Sequence, residues 1–406
     1  MRVLQINCVY GQGSTGKITK DIHLALQEAG IESYVCYGRG KDTKDRNVIR
    51  TTTDRASRIR KLIAVVDGMP YRFSRLTNRK LEKVIQRLKP DIVHLQCING
   101  FFIDIYLLLK FLKENNYATV ITLHAEFMYT GGCGYALNCK QWVEGCRKCG
   151  RLRSGLGVVG FDRVKQNYEA MHQAFKQFDN LVVVGVSDWI SGRARQSRIM
   201  RDCRVITIHN GIETKSVFYP RDTEKVFKKY NLSRDRRIVL SVVPDIESDL
   251  KGGKMMMELA DTMDRDEFQL VVVGARGLIQ DKPENLIVVP YTDSEIELAE
   301  IYSVANVFVL GSKMDNYPTV CIEANSCGTP VVGFDVGGVA ETIYPGMGEV
   351  VPYGDIDSLK KKIDKWSKLK SQIPEDVRNA ALKRNSKERM TEDYIKLYYK
   401  AFEEKE

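Results

Sequence analysis

The chain has 406 residues, 43% of them hydrophobic, which is more than one core accommodates and suits two domains of about 200 residues. Its 62 Lys and Arg against 52 Asp and Glu leave a net charge of +10. The longest apolar run, Phe101 to Leu112, is broken by Asp104 and Lys110 and falls short of the ~20 residues that span a bilayer. No signal-peptide pattern follows the first strand, so a cytoplasmic protein is expected.

Strand-like and helix-like segments alternate along the first half: Arg2 to Cys8, Ser33 to Tyr37, Asp91 to Leu95, Ala118 to His124, Leu181 to Val186 and Arg204 to Ile208 read as strands. The second half repeats the plan with Ile238 to Val243, Gln269 to Val273, Leu286 to Val289, Asn306 to Leu310 and Pro330 to Phe334. Such alternation predicts an α/β chain with two doubly wound, Rossmann-like parallel sheets, each offering the carboxyl ends of its strands to a shared cleft.

After the first strand comes a glycine-rich loop, Tyr10 to Lys17 (YGQGSTGK), which leads into a helix. Gly11, four residues, then Gly16-Lys17 imitates a P-loop, but Ile18 stands where that motif needs Ser or Thr for magnesium, and the nucleotide-hydrolase reading fails. A tight turn or a phosphate-facing loop remains.

Between Arg46 and Pro90, thirteen Lys or Arg face three acidic residues, so this block holds a charge equal to the excess of the whole chain. Ile59, Leu62, Ile63, Val66, Tyr71, Phe73 and Leu76 are interleaved with it. The pattern suits contact with an anionic membrane surface and equally a solvated helix face with a buried side. No nucleic-acid motif accompanies it, and no nucleic-acid partner is expected.

Thr122 to Gly150 holds His124 at a strand end and four of the ten cysteines, Cys133, Cys139, Cys146 and Cys149, spaced C-x5-C-x6-C-x2-C. A reducing compartment argues against disulfides. The four thiols then form either a structural zinc site or a packed loop of free thiols.

The most informative stretch is Gly311 to Glu341. It begins where the strand Asn306 to Leu310 ends and continues into a helix expected over Pro318 to Cys327, with Pro318 at its first position and Gly328 and Pro330 as the stop. The free amides near Tyr317, Thr319 and Val320, at the positive end of the helix dipole, form a site for phosphate. Asp315 and Glu323 frame it, and carboxylates accept hydrogen bonds from the hydroxyls of sugars. On spacing alone an ordinary acidic helix start explains them as well.

Asp315, seven residues, Glu323, then Cys327-Gly328-Thr329-Pro330 resembles the E-x7-E donor site of the retaining glycosyltransferases with the GT-B fold, with Asp in place of the first Glu. The DNYP form, Asp315 to Pro318, is similar to the colanic-acid and exopolysaccharide branch. Further resemblance lies in TGGC with Trp142, in the VSDW turn at Val186 to Trp189, and in the NGI segment Asn210, Gly211, Ile212.

The resemblance implies an acceptor-side domain over 1–203 carrying the Cys-rich loop 131–150, a donor domain over 204–385, and a last helix, 386–406, that returns to the first domain. It implies transfer of a hexose from a nucleotide diphosphate sugar, UDP favoured, to a glycan or a lipid-linked oligosaccharide with retention, for capsule or exopolysaccharide, at the inner face of the cell membrane. Catalytic roles fall to His124 near the reacting carbon, Asp315 on sugar hydroxyls, Glu323 on ribose and Lys251 on the diphosphate. Donor contacts are expected from Gly13, Ser14, Asn210, Gly211, Asn316, Tyr317, Pro318, Thr319 and Val320, with Tyr291 stacking on the base. The family's phosphate-binding Arg has no clear counterpart at Pro244 or Asp245, and Arg276 is the substitute expected. No cofactor is required for catalysis in this reading. The competing readings are a nucleotide-sugar epimerase and a non-catalytic basic protein that binds membranes or glycans.

Overall fold

A computed structural model of the chain describes residues 1–72, 74–274, 282–292 and 294–404. It divides into two compact units, Met1–His209 with Met390–Glu406, and Asn210–Arg389.

The first unit is built on seven strands, β1 Arg2–Asn7, β2 Glu32–Tyr37, β3 Val48–Arg50, β4 Ile92–Leu95, β5 Ala118–Leu123, β6 Leu181–Gly185 and β7 Arg204–Thr207. They are all parallel, in the order β3-β2-β1-β4-β5-β6-β7. β4, β5 and β6 are buried at every residue, as expected of a parallel sheet covered on both faces. Its helices are α1 Gly13–Glu28, α2 Asp54–Asp67, α3 Arg75–Leu88, α4 Ile105–Glu114, α5 Leu152–Leu156, α6 Val164–Phe175 and α7 Asp188–Gln196.

The second unit has six parallel strands, β8 Arg237–Val242, β9 Phe268–Val273, β10 Leu286–Val289, β11 Val307–Leu310, β12 Val331–Phe334 and β13 Gly348–Val351, in the order β10-β9-β8-β11-β12-β13. Around them lie α8 Glu224–Tyr230, α9 Gly253–Thr262, α10 Glu295–Val304, α11 Thr319–Ser326, α12 Val339–Thr342, α13 Ile356–Leu369 and α14 Glu375–Asn385. Both sheets reverse strand order once, between β1 and β4 and between β8 and β11. Ligands of doubly wound folds bind outside the carboxyl ends of the strands at such reversals.

The last helix, α15 Lys387–Glu403, belongs to the first unit from Met390 onward. Met390, Tyr394, Leu397, Tyr398 and Ala401 join the core that contains Ile18, Ile22, Leu26 and Val120. Its tyrosines also reach polar groups under the sheet: Tyr398 Oη lies 2.6 Å from His94 Nδ1, and Tyr394 Oη 2.9 Å from Thr122 Oγ1.

Two strands were not anticipated, β3 and β13. Each is short and lies at a sheet edge, where burial is one-sided and the apolar signal is weak. The division at His209 falls beyond the expected 203/204 boundary, because β7 pairs along β6 from Val182↔Arg204 to Gly185↔Thr207 and so completes the first sheet.

α2 and α3 differ in what they bury. α3 turns Leu81, Val84 and Ile85 inward, whereas α2 buries only Ser57 and Ala64. Ile59, Leu62, Ile63 and Val66 stand exposed on α2, at the i, i+3, i+4, i+7 spacing of one helix face. Exposed Val159 and Phe161 continue that face, since their amides donate to the carbonyls of Val65 and Val66 at 2.9 and 3.0 Å. Among the described residues no helix is long and apolar enough to cross a membrane.

Candidate functional site

The segment after β11 is set by buried polar groups that fix α11. Asn325 Nδ2 donates to the carbonyls of Thr329 and Met347, both at 3.1 Å, and its Oδ1 accepts from the Tyr344 amide at 2.8 Å. Thr329 Oγ1 donates to the Tyr302 carbonyl at 2.6 Å. A buried amide with all these partners satisfied locks the helix against β12. The helix starts one residue later than expected: Pro318 is the capping position, with ψ of 113°, so its ring closes the loop instead of opening the helix.

On α11, Cys321, Ile322 and Ala324 to Ser326 are buried, while Thr319, Val320 and Glu323 are half-buried. Positions 319, 320 and 323 share one face, and that face carries the helix's first amides and its only carboxylate. Glu323 Oε2 accepts from Tyr302 Oη at 2.9 Å. Tyr302 is fully buried, and burial followed by the nearby Glu323 charge pushes its hydroxyl well above the usual tyrosine range. It therefore stays a donor and orients the carboxylate.

Asp315 lies just before the helix and is gripped by Lys251, whose Nζ is 2.7 Å from Asp315 Oδ2, while Oδ1 accepts from the Asn316 amide at 3.0 Å. The pairing joins the segment after β8 to the segment after β11, across the strand-order reversal. Gly252 permits it: its φ is 82°, and a Cβ there would lie 2.4 Å from the Gly311 carbonyl carbon. The Gly338 amide donates to the Asp315 carbonyl at 3.0 Å, closing the site from the β12 side. Lys313 pairs with Asp249 across the same two segments.

Asn316 and Tyr317 are buried, and burial pushes the Tyr317 hydroxyl up to about 12; these residues shape the loop from within. Tyr291 is 67% exposed, so its ring is a surface group of the second unit and not part of its core. Arg276 lies outside the described residues. Asn210 and Gly211 meet the junction of α14 and α15: the Asn210 carbonyl accepts from Arg389 at 3.1 Å, and a Cβ on Gly211 would strike the Ser386 carbonyl oxygen at 2.3 Å. Ile212 forms a parallel bridge with Ser386.

In the first unit, Gly13 and Ser14 are exposed and open α1, where Gly13 takes a φ of 62°. His124 directly follows β5, and its Nε2 lies 2.9 Å from Gln96 Oε1. Burial holds its pKa down to about 4 and that of His94 down to about 3. Both rings are therefore neutral near pH 7. Gln96 links them, with its Nε2 3.4 Å from His94 Nδ1 and 3.2 Å from Gln5 Oε1. Gln96 and Tyr302 went unnoticed in the sequence because each sits in a run that reads as core.

Glu126, fully buried, is a structural anchor. It forms an ion pair with Arg193 at 2.7 Å and accepts from Tyr129 Oη at 2.9 Å and from the Ala136 amide at 2.7 Å. Arg193 in turn lies over the rings of Trp142 and Trp189, at 4.3 and 4.8 Å from their centroids. Cys133, Cys139, Cys146 and Cys149 line one recess of about 330 Å³.

Comparisons with known proteins add to this geometry. The family model described as Glycosyltransferase Family 4 matches residues 15–216, and that described as Glycosyl transferases group 1 matches 222–387. WcaC of Escherichia coli K12, described as a colanic acid biosynthesis glycosyl transferase, is 22% identical over 378 residues, covering 88% of this chain and 89% of its own. A D-inositol 3-phosphate glycosyltransferase of Catenulispora acidiphila is 30% identical over 37% of this chain and 40% of its own. Among solved structures, sucrose-phosphate synthase of Thermosynechococcus elongatus superimposes with a TM-score of 0.71 at 18% identity, over 99% of each chain. HepE of Anabaena in complex with UDP-glucose gives 0.66 at 13% identity, over 98% of this chain and 100% of that one.

Proposed function

Starting from a chain that is a glycosyltransferase of the group 1 type with the GT-B fold, we propose that it moves a hexose from a UDP-sugar to a hydroxyl of a glycan or lipid-linked oligosaccharide, with retention, in capsule or exopolysaccharide synthesis. The observation that carries this reading is the Lys251–Asp315 pair at the strand-order reversal, with Glu323 on the half-buried face of the adjoining helix.

A diphosphate leaving group needs positive charge placed before the reaction. The first amides of α11 and the Lys251 ammonium supply it. In the absence of donor, Lys251 neutralises Asp315; an arriving diphosphate competes for Lys251 and releases Asp315 to accept from sugar hydroxyls. Glu323, oriented by Tyr302, accepts from the ribose hydroxyls. Exposed Tyr291 offers a ring to the base. Within the first unit, His124, neutral and steadied by Gln96, is a hydrogen-bonding group at a strand end, and Gly13 and Ser14 offer amides to an anion at the start of α1. In the retaining chemistry that the resemblance implies, the leaving phosphate itself takes the proton of the incoming hydroxyl.

A lipid-linked acceptor brings the enzyme to a membrane. The exposed apolar face of α2, continued by Val159 and Phe161, lies beside the exposed cations Arg55, Arg58 and Lys61. Apolar insertion plus attraction to anionic lipid is the chemistry of a peripheral helix. Vesicles containing anionic lipid should retain the protein at low salt and lose it with Leu62→Asp, whereas equal retention of that variant contradicts the contact.

The function itself is tested by incubating the protein with UDP-, GDP-, ADP- and CMP-sugars and a membrane extract as acceptor, following nucleotide release and the product's anomeric signal by NMR. UDP release with an unchanged anomeric configuration supports the reading. An inverted product refutes retention, and release of a different nucleotide refutes the donor class.

A further inference from the structure

We propose that Cys133, Cys139, Cys146 and Cys149 bind one zinc ion as a structural tetrathiolate site in the first unit. The first observation is placement: four of the chain's ten cysteines fall within seventeen residues, and all four line one recess. The second is the nature of the segment. Between β5 and α6 the chain runs from His124 to Arg163 with two single-turn 3-10 helices and the five-residue α5 as its regular structure. Long stretches of that kind inside a compact domain need a local staple. Glu126 accepts from the Ala136 amide and Trp142 Nε1 donates to the Cys139 carbonyl, both at 2.7 Å, so these anchors reach into the cysteine-bearing part, and Cys146 and Cys149 lie beyond them.

The third observation is the surroundings of the sulfurs. The Gly131 amide donates toward the Cys146 sulfur and the Arg151 amide toward the Cys149 sulfur, each favouring the thiolate form. Amide donors to sulfur are the outer-shell partners that a thiolate ligand requires. The four sulfurs lie near enough for the charge of one to act on another in every pairing. Four thiols so placed repel as thiolates unless a cation lies among them. Zinc binding exchanges up to four thiol protons, released to solvent, for four Zn–S bonds and leaves the site with a charge of −2. Lys148 and Arg151 line the recess, and Lys140, Arg147 and Arg153 flank it, against the acids Glu144 and Asp162, the latter accepting from the Cys149 amide at 2.9 Å. That excess of positive charge matches the anionic site.

Among the described residues, no three of the sulfurs lie within 4.8 Å of one another. Zn–S bonds of about 2.3 Å place tetrahedral sulfurs roughly 3.8 Å apart, so loading draws the loop inward and must change its protection. This inference stands apart from the donor-site reading, since the site and its test lie wholly in the first unit.

The test is metal content of the whole chain, expressed in zinc-supplemented medium, for wild type, Cys146→Ser, Cys149→Ser and, as a control outside the loop, Cys203→Ser. The expected result is one zinc per chain in wild type and control, with strong loss in both loop variants. Because a loop variant can fail to fold, wild type is also stripped with chelator and titrated with Co²⁺. An equimolar end point with the intense visible bands of tetrahedral cobalt thiolate, together with restored resistance of loop 131–157 to protease, supports the site. Wild type with far less than one zinc and no cobalt bands overturns it.

Discussion

Two segments join a buried parallel strand to the helix that follows it, and they do so by opposite means. After β11 the chain needs only Gly311 to Pro318 to reach α11, and its chemistry lies at the turn itself. After β5 it takes the residues from His124 to Arg163 to reach α6, an irregular path fastened by a buried ion pair and stacked rings, along which four cysteines come to line one recess. Where a loop is short, sequence spacing is close to geometry; where it is long, spacing says which residues exist and not which meet.

The largest effect that separates the two is expected at Glu126. Glu126→Gln leaves the Arg193 guanidinium buried without its countercharge, and removing one partner of such a pair costs about 3–5 kcal/mol. Urea unfolding followed by tryptophan emission reads this loss, because Trp142 and Trp189 both pack on Arg193. A change below about 1 kcal/mol would reduce the anchor to a surface-type ion pair.

In the short segment the corresponding lock is Asn325. Asn325→Ala takes the side-chain partner from the Thr329 carbonyl and the Tyr344 amide, at about 1–3 kcal/mol for each group that water cannot reach, while the Met347 carbonyl keeps the Val331 amide. A total of about 3 kcal/mol is expected, which calorimetry should record as a drop in Tm of roughly 6–12 °C. A Tm unchanged by this substitution means that β12 and not Asn325 places α11.

Acid sharpens the comparison from the other side. An unfolded histidine takes up its proton near pH 6.5, whereas folded His124 and His94 do so only at about 4 and about 3. Through that window the unfolded state binds more protons, so the first unit loses stability as pH falls. The slope is about 1.4 kcal/mol per pH unit for each histidine. Urea midpoints between pH 6.5 and 5 should show it, and His94→Asn should reduce the slope without abolishing it, because burial lowers His23 and His172 in the same direction. The second unit contains no histidine and has no such slope in that range.

The smallest effect is expected from Tyr302→Phe, which removes the hydroxyl that orients Glu323 and keeps the ring among Phe218 and Phe308. Nucleotide affinity should fall by about 1 kcal/mol, roughly fivefold, with Tm nearly unchanged. Equal losses of affinity and stability would make Tyr302 a packing residue only.

The two parallel sheets were largely legible because long buried strands carry an unmistakable apolar signal, and the placing of Asp315, Pro318, Glu323 and Gly328 after β11 was legible because they follow one another within a single loop and helix. The pairing of Lys251 with Asp315 was not, since it depends on Gly252 letting two backbones meet from distant parts of the chain. Gln96 and Tyr302 were hidden in core-like runs. The direction of the α2 apolar face was equally invisible: the same spacing describes the buried side of α3, and only the packing of the neighbours tells them apart.

The measurement that tests the account most directly is a calorimetric titration of UDP, with EDTA present, into wild type and Glu323→Ala. The account predicts one site per chain in wild type and an affinity lower by roughly 10- to 100-fold in the variant, the loss of a charged hydrogen-bond acceptor worth about 1.5–3 kcal/mol. Equal UDP binding by the two proteins, or none by wild type, would contradict the assignment of the β11–α11 segment as the donor site.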